Sequence, residues 1–357
     1  MIRFFLKIDW LLLLPALFLA SLGLLMIYST SFESDWQIFV RQAFYILFSV
    51  IIFFLVSRVD FRTVSHLYPV FYALVIALLV VTFAIGIEAR GSTRWIDLRI
   101  VSLQGSELAK PILALSLAGF LAKYSPSKWR NFLISAALVA LPSLLVFIQP
   151  DLGNSFILVS IWLSVVFIAG ANLIYLAATA AASLASVPLF WSLLKDYQKT
   201  RLLSFLNPSL YSQGAGYNIV QALIALGSGQ IFGRGLGRGT QSHLNFLPAV
   251  RTDFIFSSIG EELGFVGIFL VIVLAGFLVY RLVRVGSSLK SREASLFTLA
   301  AAAIIFFQFF INAGMNMGIL PVTGVTLPFV SFGGSSIFSM FLLISLVQGA
   351  EREVEKN

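Results

Sequence analysis

The sequence predicts an all-α polytopic membrane protein of about ten transmembrane helices, with a large extracytoplasmic loop between the seventh and eighth. Three observations lead there. Apolar residues make up 59% of the 357-residue chain and charged residues only 11%, where a soluble domain carries roughly 25% charged residues. Apolar runs of bilayer-spanning length, about 17 to 25 residues, recur along the chain. Lys and Arg gather in alternate connections, as orientation in a membrane requires.

The first run lies near 10–29, after Arg3 and Lys7. It is longer than a signal-peptide core and no small-residue cleavage site follows it, so it reads as a retained helix. Further runs lie near 38–57, 67–87, 104–122, 131–149, 152–169, 173–194, 263–283, 294–317 and 330–350. The break between the fifth and sixth rests on Gln149-Pro150-Asp151, because proline cannot continue the helical hydrogen-bond ladder. The whole chain, 1–357, reads as a single integral membrane domain. Segment 195–262 reads as a loop folded back on the bundle, with Leu203, Phe205, Leu210, Ile219, Ile224 and Phe232 as apolar anchors.

Orientation follows from loop charge. With both termini in the cytoplasm, the cytoplasmic segments hold Arg3, Lys7, Arg58, Arg62, Lys123, Lys128, Arg130, Arg281, Arg284, Lys290, Arg292, Arg352 and Lys356. The short outer loops hold only Arg90, Arg94 and Arg99. The net charge of +8 is therefore assigned to basic loops at a membrane and not to nucleic-acid binding. With no Cys and only two His, His66 and His243, disulfides, thiol nucleophiles and His-built metal sites are excluded as expectations.

The polar chemistry concentrates in LPAVRTDFIFSSIGEELGFVG, 247–267. Asp253 stands where an aqueous loop meets a membrane helix, a costly place for an acid without a task. Pairing with Arg251 is its bland reading. Glu261 and Glu262 read equally as complements to the next helix N-terminus. Glu107 and Lys110 lie three apart inside the fourth run and share a helix face. They read as a buried ion pair, as the lining of a water-filled cavity, or as both. Asp151 is a second candidate partner for Lys110, and Arg41 faces either the cavity or the headgroups. The glycine-rich stretch 227–240 does not fit a dinucleotide loop. It reads first as a flexible surface loop, with phosphate approach by Arg234 and Arg238 as the alternative. Between Asn312 and Ser336, Pro321, Gly324, Pro328, Gly333 and Gly334 interrupt helix geometry. Irregular backbone at membrane depth must be buried in protein or line a cavity, so Thr323, Ser331 and Ser335 are expected to line one.

These pieces together resemble the SEDS family (shape, elongation, division and sporulation), and within it the rod-shape-determining RodA type. The resemblance spans the chain through GSTRW at 91–95, QGSELAKP at 104–111, QPDLG at 149–153, RLLSFLNP at 201–208, GAGYNIVQALIALGSG at 214–229, RTDFIFSSIGEELG at 251–264 and PVTGVTLPFVSFGGSS at 321–336. The family usually has proline where this chain has Gly105. The resemblance implies a peptidoglycan glycosyltransferase that polymerises lipid II at the outer face of the cytoplasmic membrane, serves cell elongation and works with a class B penicillin-binding protein. It implies that Asp253 is the essential residue and that Glu107, Lys110 and Asp151 line the cavity.

In such a reaction the acceptor hydroxyl is a weak nucleophile and benefits from a general base, for which Asp253 is the candidate. The lipid pyrophosphate leaving group calls for positive charge. Lys110, Arg201 and Arg251 are the candidates in that order, with a divalent cation, Mg or Mn, held by Asp253 as the inorganic alternative. No organic cofactor is expected. One displacement would invert the anomeric centre. Polyprenyl tails and membrane lipids would occupy grooves between helices. The competing readings are a lipid II flippase and a non-catalytic activator of a penicillin-binding protein.

Overall fold

The computed structural model describes residues 8–32, 35–89, 92–97, 102–211, 214–244 and 246–354. Arg3, Lys7, Arg90, Arg99 and Lys356 of the charge argument lie outside the described residues. Each expected apolar run becomes a helix, or two helices joined by a bend. The first is α1 (Trp10–Ser31), followed by α2 (Trp36–Val56), a short α3 (Phe61–His66) and α4 (Tyr68–Ile85). A three-stranded antiparallel sheet comes next: β1 (Ile87–Ala89), β2 (Ser92–Asp97) and β3 (Ser102–Gln104), in the order β1-β2-β3. The bundle resumes with α5 (Gly105–Lys123), α6 (Trp129–Ile148), α7 (Leu152–Ile168), and the pair α8 (Leu173–Ala185) and α9 (Val187–Leu193), bent by 49°. Pro188 in the first turn of α9 is the cause of that bend.

Seven of the described helices are long and apolar enough to cross a membrane, and the bent pair makes up to eight; α4 and α7 are shorter apolar helices. The chain is thus a multi-pass helical membrane protein. The centre of the bundle is α5 and the last helix, α15 (Gly334–Val354), each about 83% buried along its most apolar window. Helices α8 and α9 bury no residue at all and stand at the periphery.

The first and last described residues lie at one end of the bundle. There Asp9 caps α1, receives Arg281 Nε at 2.6 Å, and donates its own N–H to Gln348 at 2.7 Å. Arg281 also meets Glu351 at 3.3 Å, and Arg352 donates to the Ser57 carbonyl. The opposite end carries the sheet and the segment after α9. That segment holds α10 (Asp196–Leu206), a 3-10 turn (Pro208–Tyr211), α11 (Ala215–Ser228) and α12 (Thr240–His243). Of the expected anchors, Ile219 is buried and Phe205 packs against a small core with Leu247, Val250, Phe254, Met315 and Val322. Leu210, Ile224 and Phe232 are exposed instead, Phe232 at 81%.

The eighth apolar run begins earlier than its hydropathy indicates. Helix α13 runs Ile255–Ser288, broken only at Gly264, where φ is +67°. The glycine-rich stretch explains the break. Arg234 and Gly235 donate their backbone N–H groups to the carbonyls of Glu261 and Glu262, and Phe265 and Val266 donate to Gln230 and Ile231. A methyl group at Gly264 would strike the Gly233 nitrogen, and one at Gly233 would strike the Glu262 carbonyl. The stretch is therefore a backbone brace on the kink and not a flexible surface loop. The side chains of Arg234 and Arg238 are exposed. Helix α14 (Arg292–Asn316) then returns to the site end, and an irregular crossing, 317–333, joins it to α15.

Candidate functional site

Asp253 closes a tight turn. Thr252 and Phe254 both donate to the Ala249 carbonyl, at 3.0 and 3.2 Å. Buried Phe254, Leu247 and Val250 anchor the turn on either side. Its other fixings come from α14 and the irregular crossing. The Asp253 carbonyl accepts from Asn312 Nδ2 at 3.0 Å and Asn316 Nδ2 at 2.9 Å. Ser331 Oγ donates to the Thr252 carbonyl at 2.7 Å and accepts from Leu327 N at 2.8 Å. These bonds leave the Asp253 side chain half-buried at the bundle end.

Arg201, on α10, approaches the same point. A methyl group built on Gly324 would lie 3.5 Å from Asp253 Oδ2 and 4.0 Å from Arg201 Nη1. The carboxylate and the guanidinium thus converge on one glycine of the irregular crossing. Gly324 has φ +75°, a conformation glycine adopts without steric cost.

Arg251, two residues before Asp253, is fastened to α1. Its guanidinium donates to the Thr30 carbonyl through Nη2 and to Thr30 Oγ1 through Nε at 3.3 Å. Its carbonyl accepts from Phe332 N at 2.8 Å. Burial pushes its pKa down from the usual arginine value, and the nearby Asp35 charge opposes that shift. It ties α1 to the crossing.

Glu107 and Lys110 form the expected pair, Oε2 to Nζ at 2.7 Å, with side chains 1% and 0% exposed. Pro111 has no N–H, so the Glu107 carbonyl above it lacks its helical donor. Asp151 does not serve as Lys110's second partner. Its Oδ2 accepts from Gln104 at 3.0 Å, Ser106 at 3.1 Å and Asn154 at 2.9 Å, and Arg94 stands 3.7 Å from Oδ1. Asp151 also caps α7 through Asn154 N. Gly153, two residues on, lies close against Thr323 and Val325. The Asp151 cluster therefore backs the same extended segment that presents Gly324.

Ser331 and Ser335 were expected to line a cavity. Both are buried and spend their hydroxyls on backbone, Ser335 accepting from Gln104 N at 2.9 Å and donating to Ser102 O at 3.0 Å. Thr323 is partly buried, with its hydroxyl toward Met315 Sδ at 3.8 Å. Arg41 is exposed, and its neighbour Gln42 points inward, binding Ser331 O and Gly333 N. Glu261 and Glu262 are fully buried and do not complement the following helix. Glu261 accepts from Gln241 N, Ser242 N and Ser242 Oγ. Glu262 accepts from Ser29 Oγ at 2.6 Å and Gly237 N at 3.2 Å, and lies 2.9 Å from His243 Nε2.

Among the described residues no group of three or more His, Asp or Glu side chains could ligate a metal. Asp253 offers one carboxylate, with a guanidinium for its neighbour. Two apolar grooves open between helices. One of about 450 Å³ lies between α13 and α14, lined by Ile272, Gly276, Phe306 and Phe310. Another of about 560 Å³ lies between α6 and α8, lined by Trp129, Phe132, Tyr175 and Ala182.

A multi-pass helical bundle with buried ion chemistry at one end, where an acid and a cation meet on an irregular crossing, defines an integral membrane protein built around a polar site. The family model for FtsW, RodA and SpoVE, described as "Cell cycle protein", matches residues 9–356, and the chain belongs to this family. It is 36% identical over 342 residues to the peptidoglycan glycosyltransferase MrdB of Escherichia coli K12, covering 95% of this chain and 92% of that protein. It is 34% identical over 364 residues to the stage V sporulation protein E of Bacillus subtilis 168, covering 96% and 97%. Among solved structures it matches a chain from "Structural coordination of polymerization and crosslinking by a peptidoglycan synthase complex" with TM-score 0.84, 28% identity and 98% and 99% coverage. The rod shape determining protein RodA of Thermus thermophilus matches with TM-score 0.74, 26% identity and 97% coverage of each chain.

Proposed function

We propose that this chain is a peptidoglycan polymerase that joins lipid II disaccharides by glycosyl transfer, for cell elongation and shape. The observation that carries the reading is the convergence of Asp253 and Arg201 on Gly324, in a chain whose relatives include a named peptidoglycan glycosyltransferase. Asp253 accepts the proton of the acceptor 4-hydroxyl as its oxygen bonds to the anomeric carbon of the growing chain. The bond from that carbon to the pyrophosphate oxygen breaks, and polyprenyl pyrophosphate leaves with the electron pair. A single displacement inverts an α-linked donor to a β-linked product. Arg201 takes the first place among the cations that meet the pyrophosphate, since it converges with Asp253 on Gly324 while Lys110 is sealed inside the bundle against Glu107. A divalent cation held here would have one protein carboxylate, Asp253, and would complete its shell with pyrophosphate oxygens and water. The apolar grooves suit polyprenyl tails.

The same reading places the site, and segment 195–262 with it, at the outer face of the cytoplasmic membrane. Lys128 and Lys290 fall in connections at the terminus end, and Lys123, Arg130, Arg284 and Arg292 in the helix turns beside them; that end is then cytoplasmic. The partner is a class B penicillin-binding protein that cross-links the glycan, in keeping with the peptidoglycan synthase complex among the structural matches.

Purified protein given lipid II in detergent, with no second compartment, should make glycan polymer; a flippase would not. Asp253→Asn should fold and bind its partner yet lose activity by about 10²–10⁴-fold, the usual worth of a general base. Near-normal polymerisation by a folded Asp253→Asn protein would remove the residue from the mechanism. A Mg and Mn titration of the wild type separates base from metal ligand.

A further inference from the structure

We propose that Asn312 and Asn316 are positioning residues, a two-amide bracket on α14 that sets where the Asp253 carboxylate stands relative to Gly324 and Arg201. The proposal rests on the polymerase reading for its catalytic consequence, and on geometry alone for its structural one.

The two side chains lie four apart and share a helix face, and both are 0% exposed. Each carboxamide nitrogen has two hydrogens to give. Asn312 Nδ2 gives one to the Asp253 carbonyl at 3.0 Å and one to the Val325 carbonyl at 2.7 Å. A single amide group therefore joins the turn that carries the acid to the segment that carries Gly324. Asn316 Nδ2 gives one to the Asp253 carbonyl at 2.9 Å, and the other is shared between the Asn312 backbone carbonyl at 2.9 Å and Asn312 Oδ1 at 3.3 Å. Its Oδ1 accepts from Ser257 N at 3.1 Å and Ser257 Oγ at 2.6 Å. Ser257 N is one of the first-turn amides of α13 that have no partner within the helix. The bracket thus grips the acid's peptide group from two directions and the helix that follows it.

Asparagine suits both positions for a chemical reason. It donates on one arm and accepts on the other with no charge. Aspartate has the same size but only accepts when ionised, so at 312 it would oppose two carbonyl oxygens. Losing one donor releases the Asp253 peptide plane, and with it the carboxylate, which hangs one carbon from that plane. A displacement of about 1 Å can cost about 10²-fold in rate.

The test compares Asn312→Asp, Asn312→Ser and Asn316→Asp in purified full-length protein, with lipid II as substrate. Asn312→Asp and Asn316→Asp should lower kcat by about 100-fold and leave KM nearly unmoved. Asn312→Ser, which keeps a donor, should recover much of that loss. A second readout needs no turnover. The chain has no cysteine, so Asp253→Cys with Arg201→Cys supplies the only two thiols, and a short bis-maleimide reports how often they converge. Adding Asn312→Asp should cut the cross-linking yield at least severalfold. Unchanged kcat in the aspartate variants, or unchanged cross-linking, overturns the bracket. If Asn312→Asp fails to fold, the Asn312→Ser pair of measurements decides, with full loss of kcat counting against it. Absence of polymer from the wild type would condemn the polymerase reading instead, leaving the cross-linking result to judge the bracket.

Discussion

Lys110 Nζ sits 2.7 Å from Glu107 Oε2, one turn apart on the same helix, and both side chains are sealed from solvent. Neither charge has water to fall back on. Removing one partner leaves the other uncompensated, at a cost of about 3–5 kcal/mol. Lys110→Ala and Glu107→Ala should each lower the melting temperature and activity together. The exchange Glu107→Lys/Lys110→Glu should recover the melting temperature without recovering polymerisation. Full activity in the exchange would reduce the pair to a structural one.

Gly324→Ala tests the convergence of Asp253 and Arg201 directly. The added methyl is placed 3.5 Å from one and 4.0 Å from the other, at φ +75°. Alanine in that left-handed conformation costs about 1–2 kcal/mol, which the whole bundle should absorb with a modest fall in melting temperature. Polymerisation should fall much further, by more than about tenfold, because the methyl occupies the space between the groups. Activity tracking stability in proportion would show that the space is not used.

Glu261 is a structural acid, and its substitution should behave as one. Its carboxylate takes three donors from Gln241 and Ser242. Glu261→Gln retains one acceptor oxygen, so at least one donor loses its partner. The loss should be about 1.5–3 kcal/mol, the usual worth of a hydrogen bond to a charged group, read as an earlier thermal transition. The kcat of the surviving folded fraction should be close to wild type; a larger catalytic loss would assign Glu261 to the site.

Orientation is open to a labelling experiment, because the chain has no native cysteine. Ser192, Ser127 and Ser288 are all exposed, the first at the site end and the other two at the terminus end. In intact cells Ser192→Cys should react with a membrane-impermeant maleimide. Ser127→Cys and Ser288→Cys should react only after permeabilisation. The reverse pattern would move the site to the cytoplasm.

Hydropathy made the membrane helices legible, since length and apolarity are properties of a local window. It also misplaced the start of α13, because Ser257, Ser258, Glu261 and Glu262 dilute the window although all four are buried. The ion pair at 107 and 110 could be read from spacing alone. Asn312 and Asn316 could not, because two amides in a long apolar run barely alter its average and their partners lie far away in sequence. Gln42 was hidden behind the louder charge of Arg41. The sheet at 87–104 was missed because its strands are three to six residues long and a reading tuned to spans of twenty passes over them. The β-branched and aromatic Thr93, Trp95 and Ile96 were the available signal.

The meeting of Gly233 with Gly264 bears on how such a chain can vary. Contacts in proteins usually leave a trace in descent, because a change on one side is answered by a change on the other. Here both sides are bare backbone: a methyl at either position strikes main-chain atoms of the opposite segment. No exchange of side chains can answer that collision, so neither position has a compensating partner. The two glycines should stay fixed together or be lost together with the brace. A comparison of relatives that searches for paired substitutions would find nothing at this contact between the two segments.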